Sequence, residues 1–169
     1  DRDGRIVIEG TQGFGLSIMH AGYYPNTTSR DTTAATFVGE AGLSPRDVDD
    51  VILVIRSFPI RVGGNSGKLP YEITWEELAK EANLPPGYHE LTTATRRIRR
   101  VGRFSPKIVR RAIAVNQPTT IVMNHLDYVD ASVAADNFSQ RALDFLESVE
   151  KQLRVKVSWV GTDPAKLAP

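Results

Sequence analysis

The sequence predicts an α/β fold in a single domain of residues 1–169, with a largely parallel sheet flanked by helices. Short β-branched runs alternate with segments of helical periodicity, the pattern of strands joined by crossover helices. The run Val51-Ile52-Leu53-Val54-Ile55 is continuously apolar, as suits a strand covered on both faces. With 41% hydrophobic residues in 169, the chain can bury one core, and no repeat or low-complexity linker divides it.

Arg5-Ile6-Val7-Ile8-Glu9 reads as a first, buried strand stopped by Gly10. Gly10 to Asn26, rich in glycine and aromatics, reads as loop. Asp31-Thr32-Thr33 opens a helix running to about Ala41, because such side chains accept the N–H groups that a first turn leaves free. Val51–Ile55 is the second strand, and the glycine-rich Gly63–Gly67 is a loop. Thr74 with Glu77 three residues on forms a capping box, opening a short helix towards Ala82. Pro85-Pro86-Gly87 interrupts the chain. Ser105-Pro106 then opens a helix with an apolar stripe at Ile108, Val109, Ala112 and Val115. Thr119–Met123 is the third strand. Phe138, Ala142, Phe145, Leu146, Val149 and Leu153 mark the strongest amphipathic helix, and Val155–Val160 is the last strand.

Composition excludes several classes. There is no cysteine, hence no disulfide, thiolate metal site or cysteine nucleophile. His20, His89 and His125 are too scattered for a zinc cluster, and no metal ligands are expected in these residues. No apolar run is long enough to span a membrane and no signal peptide opens the chain, so a cytoplasmic location is expected. The first residue is Asp1 rather than Met, which points to a piece of a longer chain.

Net charge is +1, yet Leu91 to Leu126 carries eight Lys and Arg and no Asp or Glu. Its centre, Thr92 to Arg103, joins hydroxyls to packed guanidiniums, which suit several anionic oxygens at once. The competing readings are a solvated basic face or a nucleic-acid patch over Arg96–Arg111; the lack of aromatics among the arginines disfavours nucleic acid. Glu9–Gly13 follows the first predicted strand, and its glycines allow close approach to a ligand, but it is equally an ordinary turn. Thr27–Thr33 packs five hydroxyls into seven residues and is either a phosphate site or a polar helix cap. Asn124-His125-Leu126-Asp127 resembles the Asn-Lys-x-Asp pattern whose carboxylate accepts from guanine N1–H and N2–H₂; alternatively Asp127 caps a turn. Gly161-Thr162-Asp163-Pro164 is a second wall of a base pocket or a terminal turn.

In this order the motifs resemble the adenylosuccinate synthetase family. Six segments carry the resemblance: Glu9–Gly13, Thr28–Ala34, Ile60–Gly63, Thr93–Arg103, Asn124–Asp130 and Val160–Pro164. They match its C-terminal half. The resemblance implies part of a P-loop-NTPase-like synthetase domain, and purine-nucleotide biosynthesis. GTP phosphorylates the 6-oxygen of IMP, and L-aspartate then displaces phosphate to give adenylosuccinate. It places Gln12, Thr28 and Arg97 on IMP. Thr93, Ala94, Thr95, Arg97 and Arg99 fall on aspartate, and Arg99, His125, Leu126, Asp127, Gly161 and Thr162 on GTP. It also implies Mg²⁺, a homodimer at full length, and neither membrane nor nucleic acid as partner. The family's phosphate loop, catalytic aspartate and assisting histidine have no counterpart here, so no catalytic residue and no activity of this chain alone are expected. Arg96 stands where the family has glycine, which predicts a stiffer, more cationic loop. Ser29-Arg30-Asp31-Thr32-Thr33-Ala34 is closer to short archaeal members and to the phage variant. That variant converts dGMP to 2-aminoadenylosuccinate and can use ATP. A non-catalytic nucleotide-binding module is the remaining alternative.

Overall fold

The apolar runs after Val51 and Thr119 lie side by side, as two strands joined by a crossover must. The computed structural model describes residues 4–20, 22–163 and 165–169. Its strands are β1 (Ile52–Arg56), β2 (Ile60–Arg61), β3 (Glu72–Ile73), β4 (Arg100–Gly102), β5 (Thr120–Asn124), β6 (Trp159–Asp163) and β7 (Lys166–Ala168). Its α-helices are α1 (Ala34–Glu40), α2 (Trp75–Ala82), α3 (Pro106–Asn116) and α4 (Gln140–Leu153). The main sheet runs β1-β5-β6-β7, and a second, three-stranded sheet runs β2-β4-β3. β1, β5 and β6 are mutually parallel, while β7 returns antiparallel to β6. The α/β class with mostly parallel main-sheet strands and flanking helices is as the sequence predicts.

Two apolar clusters hold these layers. Ile55, Ile121, Met123, Val149 and Leu153 join one sheet face to α3 and α4, with Val109 and Ile113 packed alongside. Trp75, Leu78, Val101, Leu126, Tyr128 and Val160 form the other, beneath the small sheet and α2. Phe145, Leu146 and Val157 touch both clusters. α4 needs its alternating stripe because it closes both clusters at once.

Several boundaries differ from the sequence reading, each for a physical reason. Arg5–Glu9 is not a strand: Ile6 and Val7 are 73% and 89% exposed and pair with nothing among the described residues. β-branched residues favour strands only where a pleated surface offers a neighbour. β1 is an edge strand, and Ile52 and Val54 on its outer face are 61% and 57% exposed, so the two-sided cover expected from its apolar run is lacking on that face among the described residues. Within the predicted Asp31-Thr32-Thr33 start, the cap of α1 is Thr33, whose side chain accepts from Thr36 N–H. Ser105 precedes α3 without a side-chain capping bond, leaving Pro106 as the starting signal. The last parallel strand begins four residues later than expected, so Gly161 and Thr162 lie inside β6 rather than after it.

The capping box of α2 forms in both directions: Thr74 Oγ1 accepts from Glu77 N–H at 3.1 Å, and Glu77 Oε2 accepts from Thr74 N–H at 2.7 Å. Thr74→Ala removes one half of this exchange and is expected to lower stability by about 1 kcal/mol, read as a shift of the urea midpoint at unchanged slope.

Candidate functional site

β1 and β5 end at one level, with β6 running two residues further, and this is where the chain gathers polar groups. Arg56 closes β1 opposite Asn124, which closes β5. Gly161 lies beside Asn124 so closely that a Cβ there would stand 2.5 Å from Asn124 Oδ1. Past Asn124 the chain turns through His125, whose φ of 66° is left-handed, into a single 3-10 turn over Leu126–Tyr128. That turn carries Asp127 out of the strand end. Leu126 is completely buried, 0% exposed, and supports the turn from the core. The Thr162 hydroxyl is buried and has no hydrogen-bond partner among the described residues. An orphaned buried hydroxyl is costly unless a ligand or water completes it.

The electrostatics of the turn are unusual. Burial pushes the Asp127 carboxyl up to about 6; Arg56 opposes the rise, and Glu90 and Asp163 add to it. Burial, then Arg56, holds His125 down at about 4. His125 is therefore neutral at pH 7, and its Nδ1, 4.0 Å from Asp127 Oδ1, does not neutralise that carboxylate. The His125 ring instead lies 4.7 Å from the Tyr128 ring.

The threonine–arginine segment forms a hairpin, not an extended loop. Leu91 bridges Ile98, and Arg99 N–H donates to Glu90 C=O at 2.8 Å. Thr92 closes the tip. Its N–H donates to Arg97 C=O at 2.8 Å, its C=O accepts from Arg96 N–H at 3.1 Å, and its hydroxyl accepts from Arg97 N–H at 3.0 Å. The Thr92 and Thr95 hydroxyls are 2.6 Å apart. Thr93, Ala94, Thr95, Arg96 and Arg97 are exposed at this tip, and neither Arg96 nor Arg97 forms an ion pair among the described residues.

The hairpin and the Asp127 turn meet at Glu90. Its Oε1 takes the Arg56 guanidinium and, at 2.6 Å, the Tyr128 hydroxyl; Oε2 faces Arg99 Nε at 3.9 Å. The Tyr128 hydroxyl also meets that of Tyr88 at 3.1 Å. Burial, reinforced by the bonds to Glu90 and Tyr88, pushes the Tyr128 phenol far up, so it stays a donor at any physiological pH.

Gln12 and Thr28 belong to a separate cluster. Gln12 is exposed, with a left-handed φ of 67°. Thr32 Oγ1 donates to the neighbouring Gly13 C=O at 3.0 Å, and Thr28 N–H donates to Leu16 C=O at 2.8 Å. Asp31 organises this cluster. Burial alone would raise its carboxyl, but hydroxyls of Thr33, Thr36 and Ser17 and the Thr32 N–H bring it down to about 2. Gly10 packs against the Phe37 ring so closely that a Cβ would stand 2.2 Å from it.

Through Glu90 and Tyr128 the structure joins Arg99 to the turn of His125 and Asp127, which Asn124 links to Gly161, next to Thr162; Arg97 sits on the same hairpin, at its exposed tip. Among the described residues no hydrogen bond or ion pair joins Gln12 or Thr28 to this connected region. The two clusters touch indirectly, through Arg61, which donates to Asn26 C=O at 2.9 Å, and through Gly63, packed on Ile98 C=O. A cavity of about 290 Å³ lies against Trp75, Tyr88 and the back of the hairpin, and of the predicted site residues it touches Arg99. Sequence reading missed Arg56, Glu90 and Tyr128, which act through tertiary contacts rather than local pattern.

An α/β chain with an acidic turn and a cationic hairpin beyond its parallel strand ends has the layout of a ligand-binding α/β protein. The family model for adenylosuccinate synthetase matches residues 1–136. The chain belongs to the adenylosuccinate synthetase family. It is 38% identical over 163 residues to the adenylosuccinate synthetase of Thermococcus onnurineus, covering 94% of this chain and 46% of that protein. It is likewise 38% identical over 168 residues to that of Methanocaldococcus jannaschii, covering 97% and 46%. The chain therefore spans about half the length of the curated relatives it matches. Among solved structures, the cyanophage S-2L succinoaminodeoxyadenylate synthetase (PurZ), bound to dGMP and dATP as an energy donor, superposes with a TM-score of 0.69 at 32% identity. That match covers 92% of this chain and 43% of that one. The fully ligated adenylosuccinate synthetase of Plasmodium falciparum shares the fold, with a TM-score of 0.75 at 19% identity, covering 92% of this chain and 47% of that one.

Because Arg56 lowers the pKa of both Asp127 and His125, Arg56→Gln is expected to raise both. Titration of the Asp127 carboxyl and the His125 ring by carbon-detected NMR measures the two shifts.

Proposed function

We propose that this chain is the C-terminal half of an adenylosuccinate-synthetase-type ligase of purine-nucleotide biosynthesis. It supplies binding surfaces, while the phosphate loop and proton-transfer groups come from the other half. The carrying observation is the juxtaposition of a half-buried Asp127 with an arginine hairpin whose tip guanidiniums are unpaired. In this reading Asp127 accepts from the two guanine donors of GTP, flanked by His125, Leu126, Gly161 and Thr162. The buried Thr162 hydroxyl, otherwise unpartnered, supports a polar ligand at this end of β6. Arg97 and Arg99, with Thr93, Ala94 and Thr95, bracket the two carboxylates of L-aspartate, for which planar guanidiniums are matched donors. Gln12, Thr28 and Arg97 face IMP across the gap between the two clusters.

Holding aspartate beside C6 of the purine converts a bimolecular displacement into a positioned one. GTP transfers its terminal phosphoryl group to the 6-oxygen, the aspartate amine attacks C6, and phosphate leaves. Mg²⁺ would assist the phosphoryl transfer by neutralising charge. Among the described residues no cluster of three or more candidate ligands fits a metal, so no step is assigned to it here. No described helix is long and apolar enough to cross a membrane; the working location we propose is the cytoplasm, and the working assembly a homodimer of the full-length chain.

The 32% identity to the phage enzyme favours one second reading, a 2-aminoadenylosuccinate synthetase acting on dGMP with an adenine nucleotide as donor. Adenine offers no N1–H and N2–H₂ pair, so the two readings differ at Asp127. Calorimetric titration with GTP, ATP, IMP and dGMP separates them: GTP and IMP bind under the first, ATP and dGMP under the second. Absence of binding by all four removes both. This chain alone is expected to show no turnover with IMP, GTP, Mg²⁺ and aspartate, and robust turnover would refute the division of labour proposed.

Under the first reading Asp127→Asn weakens GTP and shifts preference towards xanthosine triphosphate. Since the ionised carboxylate is the acceptor and Asp127 titrates at about 6, GTP affinity should fall roughly tenfold between about pH 7 and about pH 5. The Asn variant should lose that pH dependence. A flat wild-type profile would show that Asp127 does not read the base.

A further inference from the structure

The Glu90 carboxylate grips both halves of the connected region. Through Arg56 it holds the end of β1, level with Asn124. The Tyr128 hydroxyl ties it to the residue after Asp127, and its backbone carbonyl and Oε2 reach Arg99 in the hairpin. The two carboxylate oxygens are used unequally. Oε1 is occupied by Arg56 and Tyr128, whereas Oε2 stands 3.9 Å from Arg99 Nε, beyond hydrogen-bond length. Arg99 Nε meanwhile makes a long bond of 3.4 Å to Leu91 C=O. The Glu90 side chain is 20% exposed, so its charge is little screened by water.

We propose that Glu90 is a positioning residue that couples the two subsites: a purine base on the Asp127 turn and a small dicarboxylate on the hairpin favour each other's binding through it. The inference rests on the functional reading above and deepens it. A base seated on Asp127 orders the turn and with it Tyr128, which fixes the Glu90 carboxylate. A fixed Oε2 then offers Arg99 a defined partner, and the hairpin arginines are held for an incoming dicarboxylate. The converse path runs from an ordered Arg99 through Glu90 to Tyr128. Coupling of this kind is reciprocal, and it requires that each ligand act differently on the two states of the shared element. The unclosed contact between Oε2 and Arg99 is that element.

The test uses the native full-length protein, with GDP and with succinate, a dicarboxylate lacking the amine, so that no reaction intervenes. Calorimetry gives the succinate affinity with and without saturating GDP. In the wild type GDP should tighten succinate by about fivefold or more, and in Glu90→Gln by less than about twofold, within the range typical of coupled sites. GDP affinity measured alone should change less than this coupling does. Tyr128→Phe removes the hydroxyl link without changing charge and should lose coupling in the same sense, so it carries the test if Glu90→Gln fails to fold. Intact coupling in a folded Glu90→Gln variant overturns the proposal. So does a parallel loss of both affinities at constant ratio, the mark of a purely structural role. Wild-type protein that binds both probes without coupling overturns the inference while leaving the site reading in place. Wild-type protein that binds neither removes the site reading itself.

Discussion

The close approach of β5 and β6 at their carboxyl ends governs everything around the candidate site. Met123 is in register with Val160, so Asn124 and Gly161 are forced side by side, and the space between them admits no Cβ. Any side chain at 161 must push Asn124, and through it the left-handed His125 and the turn that presents Asp127. Ser57 fastens the same corner from β1: its N–H donates to Asn124 C=O at 3.1 Å and its hydroxyl to His125 C=O. The turn is thus held by backbone bonds on one side and by the fully buried Leu126 and Tyr128 beneath it. Such a frame holds a carboxylate half-buried with a raised pKa, with Arg56 offsetting only part of the burial cost.

The arginines are a case of local charge misread without tertiary contacts. The basic stretch looks like a continuous cationic face, yet Arg99, Arg100 and Arg103 face acids from elsewhere in the chain. Arg100 forks onto Glu72 and Arg103 onto Glu81, each lowering its partner's carboxyl through hydrogen bonds. Arg110 donates twice to Gln152 C=O, at 2.9 and 2.6 Å. What remains unpaired at the hairpin is Arg96 and Arg97. A nucleic-acid surface needs a row of free cations along a backbone; two at one tip suit a small anion better.

Features governed by local chemistry were legible in the sequence. The α2 capping box, the α4 stripe and the runs that became β1 and β5 depend on neighbours within a few residues, and the structure contains them with small shifts. Features that depend on distant partners were not. Arg5–Glu9 has strand composition but no strand beside it. β2, β3 and β4 are two or three residues long, too short for any periodicity, and exist because Val101 pairs with Ile60 on one side and Ile73 on the other. Glu90 carries no local signal, since nothing nearby marks Arg56 and Tyr128, 34 and 38 residues away, as its partners. The site motifs were found by their order along the chain, which carries the family but not the contacts that join them.

Arg96 shows how the hairpin departs from a flexible loop. Its φ of 53° lies in the left-handed region, which a glycine adopts freely and an arginine does not. A non-glycine residue there costs about 1–2 kcal/mol, so surrounding contacts must hold it. Thr92 does so with three bonds to residues 96 and 97 and a hydroxyl contact to Thr95. The same bonds fix the backbone from which the Arg97 side chain projects. A tip shaped in advance loses less conformational freedom when a dicarboxylate arrives, and affinity gained this way needs no additional contact. The glycine that the family resemblance expects at this position would be unstrained but looser. With arginine the chain accepts backbone strain and gains a second free guanidinium beside Arg97, which raises the local positive potential where anionic ligands are proposed to bind.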